Sequence, residues 1–289
     1  MPRLTAARAP LMREVVARDE FGAERPVAIP AERALTVFVD NRELVTLMTL
    51  GAAPELLVLG YLRNQRLVDS VDDIESITVD WDVEAAAVKT RAGIERFDQK
   101  TARRVVTTGC GQGTVFGDLM ADLDSIDLPP AHDPAARLSQ RSLYGLLAAM
   151  RQQESTYKSA GSVHGCALFR QETLLMFVED VGRHNAIDTI AGWMWLQGDA
   201  HAPATPTEPL VFYTTGRLTS EMVIKSAQMG VPIVVSRSGV TQMGHEIGSR
   251  LGLALFGRAT NRHFLCYCGF DRFDAEPEPP RDPVPARSA

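Results

Sequence analysis

Apolar and polar positions change rhythm along this 289-residue chain. From about residue 34 to 110 the period is mostly close to two. "LTVFVDNRELVTLMTL" alternates on either side of Asp40 and Asn41, which predicts a hairpin closed by that pair. "PELLVLGYLRNQRLV" breaks the alternation with leucines at helical spacing behind Pro54, a residue suited to a first helical turn. "IESITVDWDVEAAAVKT" then returns to partial alternation. From about residue 136 helix and strand signals take turns. "RLSQRSLYGLLAAMRQQ" predicts a helix, "CALFR" and "TLLMFV" short strands, and "HNAIDTIAGWMWLQ" a helix. "LVFYTT" is a strand, "SEMVIKSAQMG" a helix ended by Gly230, "VPIVVSRS" a strand, "TQMGHEIGSRLG" a helix and "LALFGR" a strand. Strand–helix units of this length predict a largely parallel sheet covered on both faces, an α/β region following a β-rich one. The ends mix charge with proline. The expected division is a flexible segment over 1–30 and a β-rich domain over 31–115. An α/β domain over 116–272 and a disordered proline-rich tail over 273–289 complete it.

Composition narrows the class. Hydrophobic content of 45% and charged content of 23% are those of a globular protein that buries a core. A formal net charge of -6 argues against a nucleic-acid partner. No apolar run reaches the ~18 residues of a membrane helix, so no membrane is expected. Four cysteines do not make a disulfide framework in a chain of this length, so the expected compartment is the cytoplasm, with thiols reduced.

Candidate chemistry gathers where strands end. Arg183, Arg217, Arg237 and Arg258 each follow a predicted strand, with Arg262 shortly beyond. In an α/β sheet such positions line one edge, where ligands bind, and guanidinium forks suit phosphate. "TTGRLTSEM" adds a helix start, with Gly216 at the turn and Thr219 or Ser220 as cap. "EDVGRHNAIDT" sets Asp180, Arg183, His184, Asn185 and Asp188 directly behind an apolar strand, with His184 and Asp188 on one helix face. These groups point to a polyanionic ligand, a nucleotide or pyrophosphate. Of the cysteines, Cys166 in "SVHGCAL" and the Cys266–Cys268 pair in "FLCYC" read as core packing. Cys110 differs: in "TTGCGQGTVFGD" it stands among Gly109, Gly111 and Gly113, a setting for a thiol that moves between partners or for a plain tight turn.

"ELLVLGYLRNQRLV", "DVGRHNAID" and "GRLTSEMVIKSAQMGVPIVVSRS", in that order, resemble the formate dehydrogenase accessory sulfurtransferase (FdhD) family from roughly residue 30 to 272. The resemblance implies a cytidine-deaminase-like α/β/α core with a β-rich N-terminal domain, in a homodimer. The zinc-deaminase signature is missing, so neither deamination nor protein-bound zinc is implied. What is implied is sulfur transfer from a cysteine desulfurase, as a persulfide on Cys110, to a molybdenum (or tungsten) bis-molybdopterin guanine dinucleotide cofactor. Insertion into the formate dehydrogenase catalytic subunit follows. The family's cofactor-binding stretch falls on Phe256, Gly257, Arg258, Ala259, Thr260, Asn261 and Arg262. Gly216, Arg217, Thr219, Ser220, Glu221, Ser236 and Arg237 are the expected guanine and phosphate contacts, with Arg183, His184 and Asn185 beside them. One departure stands out: where the family has C-G-x-C-G, this chain reads Cys110-Gly111-Gln112-Gly113. Two readings follow, a sulfurtransferase working through one cysteine and a cofactor-holding chaperone without transfer activity. Accessory proteins of NAD-dependent formate dehydrogenases resemble this variant. A nucleotide-binding enzyme unrelated to molybdenum would account for the arginines but not for the whole-chain resemblance.

Overall fold

The computed structural model describes residues 1–94, 123–198 and 208–276. Residues 1–30, expected to be flexible, are built into the fold. β1 (Arg3–Leu4) pairs parallel with a later strand, and β2 (Met12–Arg18) and β3 (Glu24–Pro30) form an antiparallel hairpin. The Thr5 hydroxyl and the Ala7 N–H donate to the Glu55 carboxylate at 2.5 and 2.6 Å, and the Trp81 indole donates to the Ala7 carbonyl at 2.5 Å. Such long-range polar ties leave no periodic trace in the sequence.

The predicted hairpin is β4 (Arg33–Val39) and β5 (Arg42–Thr49), with Asp40 and Asn41 at φ 47° and 66°. Two positive φ values in succession give the turn whose twist matches the flanking strands. With β6 (Ile74–Asp80) and β7 (Ala85–Thr90) these strands complete a sheet of order β1-β6-β7-β4-β5. Its apolar face, including Leu35, Val37, Leu47 and Ile77, packs on α1 (Pro54–Asn64).

The C-terminal part is α/β, but its sheet is mixed. β8 (Leu138–Ser139) precedes α2 (Gln140–Gln152) and the short α3 (Thr156–Ala160). The six-stranded sheet contains β9 (His164–Arg170), β10 (Thr173–Asp180), β11 (Leu210–Thr214), β12 (Ile233–Ser236), β13 (Ala254–Thr260) and β14 (His263–Cys268), in order β10-β9-β11-β12-β13-β14. Only β11, β12 and β13 are mutually paired in parallel. The expectation of a largely parallel sheet fails at both ends because β9–β10 and β13–β14 are joined by tight turns, through Gln171 and Asn261 at φ 51° and 53°. A parallel pairing needs a long crossover. That crossover is present where α5 (Ser220–Gln228) and α6 (Gln242–Arg250) intervene. β15 (Phe273–Asp274), in the segment expected to be a disordered tail, pairs with β8, and the Phe273 ring packs edge-to-face with Phe256 and Phe264.

α4 (Arg183–Gln197) joins the two halves by crossing α1 where Gly60 meets Gly192. A Cβ on Gly60 would fall on the Asp188 carbonyl, and one on Gly192 on the Leu56 carbonyl. Two glycines therefore set the backbone-to-backbone approach of the helices. A polar latch adds to it: Asp180 accepts hydrogen bonds from the Thr49 hydroxyl (2.5 Å), Leu50 N–H (3.1 Å), Gly182 N–H (3.1 Å) and the Asn185 amide (2.8 Å).

Candidate functional site

β10 is antiparallel to β9 and β9 to β11, while β11, β12 and β13 run parallel. The C-terminal ends of β10, β11, β12 and β13 therefore share one edge, and the segments carrying Arg183, Arg217, Arg237 and Arg258 meet there. They do not form one site: Arg237 borders a cleft on one face, Arg183 and Arg217 lie by His164 on the other, and Arg258 is exposed.

On the α2 face lies a cleft of about 480 Å³. Its floor is Leu147, Met150, Phe177 and Ala259, and its polar wall is Arg151, Lys158, Arg237, Tyr157, Tyr213, Thr260, Asn261 and Glu179. The Asn261 amide oxygen accepts from the Arg151 guanidinium at 3.0 Å, and Arg237 lies over the Tyr157 ring at 5.8 Å. Glu179 accepts from the backbone N–H groups of Thr156 and Tyr157, at 2.5 and 3.0 Å. The one carboxylate on this wall is thus held by amide donors beside three cations. Burial pushes the Tyr213 phenol up to about 12.

On the opposite face His164 sits near Arg183 and Arg217. Burial first, then those two guanidiniums, lowers its pKa. Gly216 makes room for this group, since a Cβ there would approach the Arg183 Cδ at 2.7 Å and the His164 Nδ1 at 3.5 Å. Thr219 occupies the N-cap position of α5 without a side-chain cap hydrogen bond, and Ser220, half-buried, is the helix's first residue.

Several residues expected to touch a ligand turn inward. Phe256 is fully buried, its ring 5.6 Å from Phe264 and 5.3 Å from Phe273. The Ser236 hydroxyl donates to the Gly216 carbonyl at 2.6 Å. The Asn185 amide donates to the Met48 carbonyl at 2.6 Å as well as to Asp180. His184 and Glu221 belong to a buried chain in which Glu221 lies 3.5 Å from His184 and 3.6 Å from Lys225. Lys225 pairs with Asp188 at 2.8 Å, and the Asn64 amide donates to Asp188 at 2.6 Å. Burial raises the Asp188 carboxyl above its ordinary range, and Lys225 opposes that rise. Of the remaining stretch, Thr260 and Asn261 border the cleft, Gly257 packs beneath Tyr267, and Arg258 is exposed with φ 52°. Arg262 lies 6.0 Å from the Tyr144 ring.

Arg151, Tyr157, Lys158, Glu179 and Tyr213 carry no motif. Their membership comes from the packing of α2, α3 and β10, and only the tyrosine in "LVFYTT", so near the predicted strand end, hinted at it.

The inward histidine has a consequence for stability. Burial, then Lys225 and Arg183, depresses the His184 pKa from 6.5 to about 2. The folded chain therefore keeps a neutral imidazole that the unfolded chain protonates. The contribution is complete above the unfolded pKa and declines as pH falls below it, by about 1.4 kcal/mol at a pH one unit lower. Urea unfolding at about pH 7.5 and about pH 5.5 should show wild type losing that much more than His184→Gln. Equal losses would exclude His184 as the source.

Among the described thiols none is poised to ionise. Burial pushes Cys166 up to about 12, Cys266 also to about 12, and raises Cys268. Cys110 lies outside the described residues, and no group of three or more His, Cys, Asp or Glu side chains among the described residues is placed to hold a metal. No helix there is long and apolar enough to cross a membrane.

These features define a mixed α/β protein with a basic cleft of about 480 Å³ at its strand ends. The chain belongs to the FdhD/NarQ family, whose model matches residues 30–274. It is 28% identical over 265 residues to the sulfur carrier protein FdhD of Listeria innocua, covering 90% of this chain and 97% of that one. With the sulfur carrier protein FdhD of Bacillus subtilis it shares 30% identity over 237 residues, 82% of this chain and 86% of that one. In three dimensions it is similar to the crystal structure of a candidate formate dehydrogenase accessory protein from Desulfotalea psychrophila, with a TM-score of 0.67. That likeness covers 91% of this chain and 100% of the other at 24% identity, and it bears on the fold.

Proposed function

We propose that this chain is a sulfur carrier in formate dehydrogenase maturation, with a molybdenum or tungsten bis-molybdopterin guanine dinucleotide as its cargo. The observation that carries the reading is the cleft, where Arg151, Lys158 and Arg237 surround an aromatic and apolar floor. A nucleotide needs that combination, cations for its phosphates and flat apolar surface for its base. About 480 Å³ suits one nucleotide arm. A homodimer supplies a second cleft for the second arm.

Sulfur enters at Cys110. Its thiolate attacks the outer sulfur of a cysteine desulfurase persulfide. The donor's S–S bond breaks, its electron pair leaves on the donor thiolate, and Cys110 keeps the transferred sulfur as a persulfide. The other three cysteines are unsuited to this step, because burial disfavours their thiolates. A second reading, a chaperone that holds the cofactor without transferring sulfur, is favoured by Gly113 standing where the family pattern has its second cysteine.

GDP stands in for one cofactor arm in the test. Arg237→Ala should weaken GDP binding by about 1.5–3 kcal/mol, the range for a charge-assisted hydrogen bond, measured by calorimetry. Unchanged affinity would remove the cleft from the site.

A further inference from the structure

Residues 155–160, which contain α3, form a strap between two clefts. One is the basic cleft, and the other, of about 780 Å³, is bordered by Arg8, Leu11, Met176 and the same strap. None of the residues of α3 is buried, so apolar packing alone does not fix its position. Polar tethers do. The Glu179 carboxylate spans the N–H groups of Thr156 and Tyr157, and the Lys158 ammonium donates to the Arg151 carbonyl at 2.7 Å. The strap leaves its helix through Gly161 and Ser162, both at positive φ (65° and 56°). Tyr157 is 43% exposed, yet its ring faces Arg237 at the mouth of the basic cleft. The helix also touches β3, but the Tyr157 ring is left 43% exposed, held beside a guanidinium on a segment anchored by the Glu179 carboxylate, at the edge of the cleft.

We propose that Tyr157 is the stacking platform for the purine base of a nucleoside diphosphate in the cleft, and that Glu179 is a positioning residue holding the platform in place. The inference rests on the cofactor-arm reading above and adds to it the wall that recognises the base. Arg237, facing the ring, then serves both phosphate charge and the cation–π side of the stack.

The test compares GDP with inorganic pyrophosphate by calorimetry, with thermal unfolding to show that each variant folds. Tyr157→Ala should lose roughly 10-fold in GDP affinity, since a base–aromatic stack is lost, while pyrophosphate binding stays as in wild type. Tyr157→Phe should bind GDP as wild type does. Glu179→Ala should reproduce the Tyr157→Ala pattern, and Glu179→Gln, whose amide oxygen still accepts, should recover most of the GDP affinity. If Tyr157→Ala binds GDP normally, or loses GDP and pyrophosphate equally, the platform is wrong while the cleft reading stands. If wild type binds neither probe, the cleft reading fails and takes the platform with it.

Discussion

Cys110→Ala should abolish sulfur loading. After incubation with a cysteine desulfurase and cysteine, the wild-type chain should gain the mass of one sulfur atom, and peptide mapping should place it on Cys110. The variant should gain nothing, because the remaining thiols at 166, 266 and 268 are held protonated by burial. A thiolate is the nucleophile in this exchange, and burial disfavours it at all three positions, pushing Cys166 and Cys266 up to about 12 and raising Cys268. The expected effect is therefore loss of the adduct rather than a partial decrease. Retention of loading in Cys110→Ala would move the carrier to another cysteine. Absence of an adduct on wild type would leave the chaperone reading, in which Gly113 in place of a second cysteine marks a chain that holds cofactor and transfers nothing.

The two rhythms of the sequence were legible because they come from burial. Asp40–Asn41, Pro54 and the leucine spacing of α2 mark elements whose apolar spacing is set by the face they bury. Pairing direction was not legible, since it depends on connection length. The two-residue link between β9 and β10 forbids the crossover that a parallel arrangement requires. The polar cluster after β10 misled in an instructive way. Polar density behind an apolar strand resembles a ligand site, but the first ten residues of α4 are buried, so Asn185 and Asp188 find partners in β5, α1 and α5 instead. The cleft residues escaped for the opposite reason. A five-residue helix such as α3 is too short to show periodicity, and Glu179 gains its role only from the amides that fold back onto it. The strand-end rule brought the arginines to one edge without revealing the side each would take, because a loop residue beyond the strand has left its two-residue alternation.

The largest stability effect is expected at Asp188, where the two halves of the chain share a buried charge. Asp188 and Lys225 are both 0% exposed, 2.8 Å apart, and Asn64 on α1 completes the carboxylate's partners. Asp188→Ala leaves the Lys225 ammonium in the interior with Glu221, 3.6 Å away, as its remaining counter-charge. Breaking a buried pair from one side typically costs about 3–5 kcal/mol, because the surviving charge has lost water and partner together. Replacing both members with apolar residues of similar volume removes that penalty. Asp188→Leu combined with Lys225→Met should therefore be more stable than Asp188→Ala, despite carrying one more substitution. Urea unfolding of the three proteins at neutral pH gives the comparison directly. If the double variant is no better than the single one, the desolvated ammonium is not the source of the loss. The cost would then lie with Asn64, whose amide at the α1–α4 crossing loses its acceptor in both variants.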